Sequence, residues 1–268
     1  RRPSSAPFSG SFVCSVRCVF LKAILSVLVL MCLPSGVWAK PLYENSVASN
    51  NLDFIRANDP GACWSIKGGN GGRTEMYDPR SDRLFVDGAL HFEVRYPGQA
   101  LRINVHPGVS NPTKRAQQAA ASVSRLPEQM RKTLSYVNIL DGDGAAWAED
   151  RGRFFTLYDG LLARRLAEHD LDETVFHETA HVAFDLRHAK KRKWKAAQKA
   201  DGDFVTRYAA RHAHKEDIAE SALFVWTMMY HPGRLPKRVE QQVSVTIPSR
   251  VAYLQTMLAG YEPPRCAS

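Results

Sequence analysis

Leu171-Asp172-Glu173-Thr174-Val175-Phe176-His177-Glu178-Thr179-Ala180-His181-Val182-Ala183-Phe184-Asp185 is the stretch from which the rest of the chain is best read. No glycine or proline interrupts it as far as Arg187, and Asp172 and Glu173 suit the positive end of a helix dipole. On a helix, residues four apart share one face. The imidazoles of His177 and His181 can therefore reach one ion, while Glu178 projects beside it. The uncharged neighbours Thr174, Val175, Thr179, Ala180, Val182 and Ala183 fit a helix buried beneath a cleft. An amphipathic helix with two satisfied histidines is the competing explanation of the same spacing.

Two imidazoles do not complete a zinc site, which takes three protein ligands and keeps one position for water. The best source of a third is the segment from Tyr208 to Ala222. Glu216 and Glu220 stand four apart on a predicted helix there, so both can face the first helix. Ile218, Ala219, Ala222, Leu223 and Trp226 give that helix an apolar band for packing. Asp185 lies four residues after His181. It suits a hydrogen bond to a ligand imidazole, with direct ligation as the alternative. Asp217 and Glu220 read as supports, and His188, His212, His214 and His231, with polar neighbours, as surface residues.

The order His177-Glu178-Thr179-Ala180-His181, then Tyr208-Ala209, a short spacer and Glu216-Asp217-Ile218-Ala219-Glu220 resembles the catalytic domains of the anthrax-lethal-factor-like and Pro-Pro endopeptidase group of gluzincins. It is similar also to a set of secreted H-E-x-x-H proteins. Their tail appears here as His177 to Asp185, Trp194-Lys195-Ala196-Ala197-Gln198, Tyr208-Ala209 and Glu216 to Ser221. The resemblance covers about Leu84 to Pro236 and is strongest from Leu171. It implies a zincin-like fold, Zn2+ held by His177, His181 and Glu216, Glu178 as catalytic base and Tyr208 as a hydroxyl over the substrate oxyanion. The chain departs from the group twice: the Tyr208–Glu216 spacing is one residue longer than usual, and the usual Asn-Pro of the spacer is missing.

Upstream, the chain reads in three parts. Residues 1–39 have the form of a signal peptide: an apolar run from Ala23 to Leu33 behind Arg17 and Lys22, a break at Pro34 and Gly36, and small residues before a cleavage point after Ala39. Residues 40–110 are expected to be a polar lead-in and then a small β-rich part. Its strands fall at Leu84–Val86, His91–Tyr96 and Leu101–Val105, with turns at Gly68–Gly72, Asp87-Gly88 and Pro97-Gly98. Residues 111–268 are expected to be the catalytic domain: a helix over 114–124, another from Pro127 to Leu134, strands at Val137–Leu140 and Phe154–Tyr158, then helices to the end. Phe154–Tyr158 takes the place of the edge strand that pairs with substrate in zincins. The fold class is α+β, with early strands and a helical C-terminal half.

The remaining features set the compartment and the partners. A hydrophobic fraction of 44% and a charged fraction of 24% exclude a disordered chain. The net charge of +9 includes Arg1, Arg2, Arg17 and Lys22 of the leader, so residues 40–268 are only mildly basic. Beyond residue 39 only Cys63 and Cys266 remain, and in an exported chain they are expected to form a disulfide. The basic run Lys190–Lys195 reads as the exposed face of a helix whose Trp194 docks inward, rather than as a nucleic-acid site. The expectation is a secreted zinc peptidase acting on peptides or proteins, with no nucleic acid and no lasting membrane anchor. A non-catalytic zinc-binding protein, a zinc amidase on non-peptide substrates and a basic polyanion binder are the rivals.

Overall fold

The computed structural model describes residues 41–266, so the leader expected over 1–39 lies outside the described residues. Within them the strands form one mixed sheet in the order β1-β2-β3-β4-β6-β5. They are β1 (Ser65–Asp78), β2 (Arg83–Tyr96), β3 (Gln99–Val105), β4 (Tyr136–Leu140), β5 (Trp147–Glu149) and β6 (Phe154–Tyr158). The pairs β1–β2, β2–β3 and β5–β6 are antiparallel, whereas β3–β4 and β4–β6 are parallel. Tyr136–Leu140 and Phe154–Tyr158 are near-continuous apolar runs, as parallel strands covered on both faces require. A polar row crosses the sheet from β1 to β4: Thr74 Oγ1 meets His91, His91 meets Asn104, and Asn104 Nδ2 donates to Asn138 Oδ1 at 2.9 Å.

The helices are α1 (Pro112–Ser124), α2 (Glu128–Arg131), α3 (Asp159–Ala167), α4 (Leu171–Phe184), α5 (Arg192–Asp201), α6 (Arg207–Arg211), α7 (Asp217–Tyr230), α8 (Lys237–Thr246) and α9 (Pro248–Met257). α4 packs against β5 and β6 on one side and against α7 on the other, which puts the two-histidine face beside the edge of the sheet. Among the described residues no helix is long and apolar enough to cross a membrane. Cys63 and Cys266 stand at disulfide distance with Cα atoms 4.5 Å apart, the pair that the cysteine count suggested. The architecture is mixed α and β. The early β-rich part and the region from residue 111 share the single sheet, since β3 pairs directly with β4.

Several local expectations are corrected. Gly68–Gly72 is not a turn but lies inside β1, paired with β2 through irregular register. Gly68 has φ +123°, and a Cβ there would sit 2.3 Å from the His91 carbonyl oxygen, so this bulge demands glycine. Asp87-Gly88 likewise falls within β2 rather than ending it. The helix expected from Pro127 to Leu134 is only one turn, α2. The helix starting at Leu171 gives way after Phe184 to a π-helical turn, Asp185–Ala189. β6 is interior, flanked by β4 and β5. The edge strand on that side of the sheet is β5, which the sequence reading missed because Trp147-Ala148-Glu149 is too short to display a period.

The lead-in is also packed rather than loose. Val47, Ala48, Phe54 and Ile55 are buried, and the rings of Phe54 and Tyr43 contact Phe224 of α7. Tyr43 bridges to Thr206 in parallel, with Tyr43 N–H donating to Val205 O and Arg207 N–H to Tyr43 O.

Candidate metal centre and its cleft

The first turn of α4 is held by Asp170 O, which accepts from both the backbone N–H and the Oγ1 of Thr174. One turn further on, His177 Nε2 and His181 Nε2 are 3.1 Å apart. Glu216 enters from the other side, at the N-cap position just before α7 rather than within it. Its Oε2 lies 3.1 Å from His181 Nε2 and 3.4 Å from His177 Nε2. His177, His181 and Glu216 are thus a group that can hold a metal ion. A tetrahedral ion bonded at roughly 2.0–2.1 Å to each donor would space them about 3.3 Å apart, so the triangle fits zinc.

Carboxylates stand behind both imidazoles. Asp185, on the π-turn, accepts from His181 Nδ1–H at 3.0 Å, which turns Nε2 of the ring toward the other donors. Glu220 Oε1 lies 3.4 Å from His177 Nδ1, a close electrostatic contact without the alignment of a hydrogen bond. Burial lowers the basicity of His181, but the hydrogen bonds to Asp185 and Glu216 outweigh it and hold the ring well above the usual histidine range. Burial opposes ionisation of Glu216, yet the two imidazoles overcome this and keep its carboxyl far below the ordinary value. Protons and a cation compete for the same three donors.

Glu220 is itself held by the early segment. Ser46 Oγ donates to its Oε1, and Val47 N–H and Thr206 Oγ1 donate to its Oε2, at 2.5, 2.8 and 2.7 Å. Thr206 Oγ1 also accepts from Ala209 N–H and so caps α6, the short helix that carries Tyr208. Sequence reasoning named Glu220 but missed Ser46, Val47 and Thr206. The only signal was a serine ahead of an apolar pair, too common to single out. Asp217 faces away from the metal donors: Arg250 Nη1 donates to it at 2.6 Å and Gln198 Nε2 at 2.8 Å, which anchors the start of α7 beside Glu216. Among the surface histidines, His188 is half-buried and bonds Tyr253 Oη, and none joins the metal-binding group.

The side chain of Glu178 makes no hydrogen bond among the described residues, and burial raises its pKa against the pull of both imidazoles. It lies where two cavities of about 480 and 510 Å³ meet, and Ala146, His177, Glu178 and Tyr208 line both. The first lobe is walled by Ser46 and Ser49 with Arg164 and Arg165. The second is walled by Ala146–Asp150 at the free edge of β5. Tyr208 is 37% exposed, and burial together with the charges of Glu216 and Glu178 keeps its hydroxyl protonated at all ordinary pH. The arrangement therefore brings a group that can hold a metal ion, an unbonded carboxyl and a protonated phenol onto one two-lobed cleft. Comparison with family models gives no match to this chain, and comparison with curated proteins gives no significant one.

Proposed function

We propose that the chain is an exported zinc-dependent peptidase of the gluzincin kind, with a zincin-like catalytic fold. The observation that carries the reading is the donor triangle of His177, His181 and Glu216 beside the unbonded carboxylate of Glu178, at the junction of two lobes. An ion held there supplies Lewis acidity and an acidified water. Glu178, raised in basicity by its burial, takes a proton from the attacking water and returns it to the departing amine. Tyr208 donates its hydroxyl hydrogen to the oxygen that gains charge at the carbonyl. Asp185 and Glu220 orient the two imidazoles.

Peptides are favoured over small amides by the second lobe. Its wall is the free edge of β5, whose backbone groups suit the addition of an extended chain as one more strand. The expected leader and the Cys63–Cys266 pair both fit export to an oxidising compartment. The test is metal analysis with a peptide-library cleavage profile on the wild type and Glu178→Gln. Cleavage by the wild type, with zinc retained but turnover abolished in the variant, is the expected result. Full hydrolysis by Glu178→Gln would overturn the mechanism, and zinc without any cleavage by the wild type would reduce the protein to a metal binder.

A further inference from the structure

The basic run that opens α5 has no local structural purpose. Lys190, Lys191, Arg192, Lys193, Lys195 and Lys199 fall in a stretch with no acid from Leu186 to Ala200. Lys190 approaches Asp150 at 3.9 Å, and the other five form no ion pair with any described residue. Trp194 and Ala197 bury one face of the helix, so Arg192, Lys195 and Lys199 stand along its outer ridge. Cations in a first turn that contains no acid and no side-chain cap oppose the helix dipole, so they do not serve α5 itself.

The ridge leads into the cleft. Lys190, just before α5, lines the second lobe together with His214 and Lys215. Gln198 on the flank of α5 donates to Ala213 O at 3.0 Å and to Asp217, which seats the helix against the turn bearing His214, Lys215 and Glu216. The acids of that lobe other than Glu178 have partners: Asp185 with His181, Glu216 with both imidazoles, Asp150 with Lys190, and Glu149 with the Arg151 N–H. Beyond the rim of the lobe, where Lys190 and Lys215 stand, the ridge carries no acid and its charge is positive throughout. From Arg192 to Lys199 the ridge spans about 10 Å at the helical rise, which matches about three residues of an extended chain.

We infer that α5 is a docking ridge for an acidic stretch of a polypeptide whose neighbouring segment enters the second lobe. Entry of that segment into the lobe rests on the peptidase reading. A polypeptide is preferred to a polysaccharide or a lipid surface because the ridge ends, at Lys190, on a lobe walled by a free strand edge. Such a ridge raises encounter rates and weakens with salt.

The test measures binding by Glu178→Gln, so that turnover does not intrude. Two fluorescent peptides of equal length serve as probes, one alternating Glu and Ser and one alternating Gln and Ser. The acidic peptide should bind at least about tenfold more tightly at low salt. That advantage should disappear at high salt and when Lys191, Arg192, Lys193 and Lys195 are all replaced by Gln. A second variant replaces only Lys193 and Lys195 by Glu, with circular dichroism and zinc content confirming the fold. Equal binding of the two peptides, or acidic-peptide binding indifferent to both variants, overturns the inference. So does ridge-dependent binding of heparin or phosphatidylserine vesicles without binding of the acidic peptide. Ridge-dependent peptide binding with no cleavage by the wild type supports the ridge and counts against the peptidase reading instead.

Discussion

Ser46 Oγ donates a 2.5 Å hydrogen bond to the Glu220 oxygen that lies 3.4 Å from His177 Nδ1. A residue from the start of the described chain is thereby one step from a metal donor, across a sequence separation of 174. Glu220 is fully buried, and a buried carboxylate is tolerable only when its oxygens are satisfied. Ser46, Val47 and Thr206 satisfy them, so the early segment is part of the site.

That relationship sets a graded prediction. Glu220→Ala should weaken zinc binding by roughly tenfold to a hundredfold, the range for partners that orient a ligand. Ser46→Ala should weaken it by less, because Val47 and Thr206 still hold the carboxylate. Competitive zinc titration reads both. An unchanged affinity in Glu220→Ala would show that its contact with His177 does nothing for the metal.

Glu216→Ala removes a charge and a bond together, so zinc affinity should fall by orders of magnitude. Asp185→Ala keeps all three donors and loses only the His181 orientation, so its loss should resemble that of Glu220→Ala. The same titration, with folding checked by circular dichroism, ranks them. Should Glu216→Ala bind zinc like the wild type, the triangle is not the site.

How much of the site and fold was legible depends on how local the information is. The pairing of His177 with His181 and the position of Glu178 follow from helical periodicity, and they are found on one face of α4. Glu216 was named from its motif, yet it sits ahead of α7 and not within it, because the preceding turn His212–Lys215 consumes the backbone that would have extended the helix. Gly68–Gly72 misled because strand propensity disfavours glycine, while the bulge at Gly68 requires it. Ser46 and Thr206 carry no pattern at all. Their role arises only when residues far apart in the chain meet over one carboxylate.

Gly68 yields a stability prediction. Gly68→Ala forces a Cβ against the His91 carbonyl at a backbone angle that L-residues rarely adopt, and should cost on the order of 1–3 kcal/mol. Gly202→Ala, also at positive φ but with open space around it, should cost less. Denaturant unfolding of the two variants compares them, and equal losses would mean that the close approach in β1 relaxes freely.

Glu173 makes stability depend on pH. It is buried, its Oε1 accepts from Ile55 N–H, and burial pushes its pKa up to about 8, with Asp172 and Asp170 adding to the effect. The folded state therefore holds its proton through a window in which the unfolded chain, near the ordinary value of 4.5, has released it. The contribution of the neutral form is complete below about 4.5, and it is lost as pH rises toward 8. Glu173→Gln keeps the acceptor without the charge, so it should gain on the wild type by up to a few kcal/mol between about pH 5 and pH 8.5. A variant-minus-wild-type difference that is flat across that range would contradict the assignment.

Tyr208 tests the chemistry most directly. The Tyr208–Glu216 spacing is one residue longer than in the group the sequence resembles, which could have carried the hydroxyl out of reach. The added length is absorbed outside the helices: α6 ends at Arg211, and Lys215 N–H and Glu216 N–H both donate to His212 O in the turn before α7. Tyr208 consequently still lines both lobes with Glu178, and its hydroxyl stays protonated beside two carboxylates. Tyr208→Phe removes the donor and its hydrogen bond to Glu216, while the ring contact with His212 can persist. If the hydroxyl serves only the developing oxyanion, kcat should fall by about a hundredfold while KM and zinc content hold, as loss of one such donor does elsewhere. A raised KM with unchanged kcat would make Tyr208 a wall of the cleft that binds substrate uniformly, and an unchanged kcat/KM would leave it with no part in the reaction.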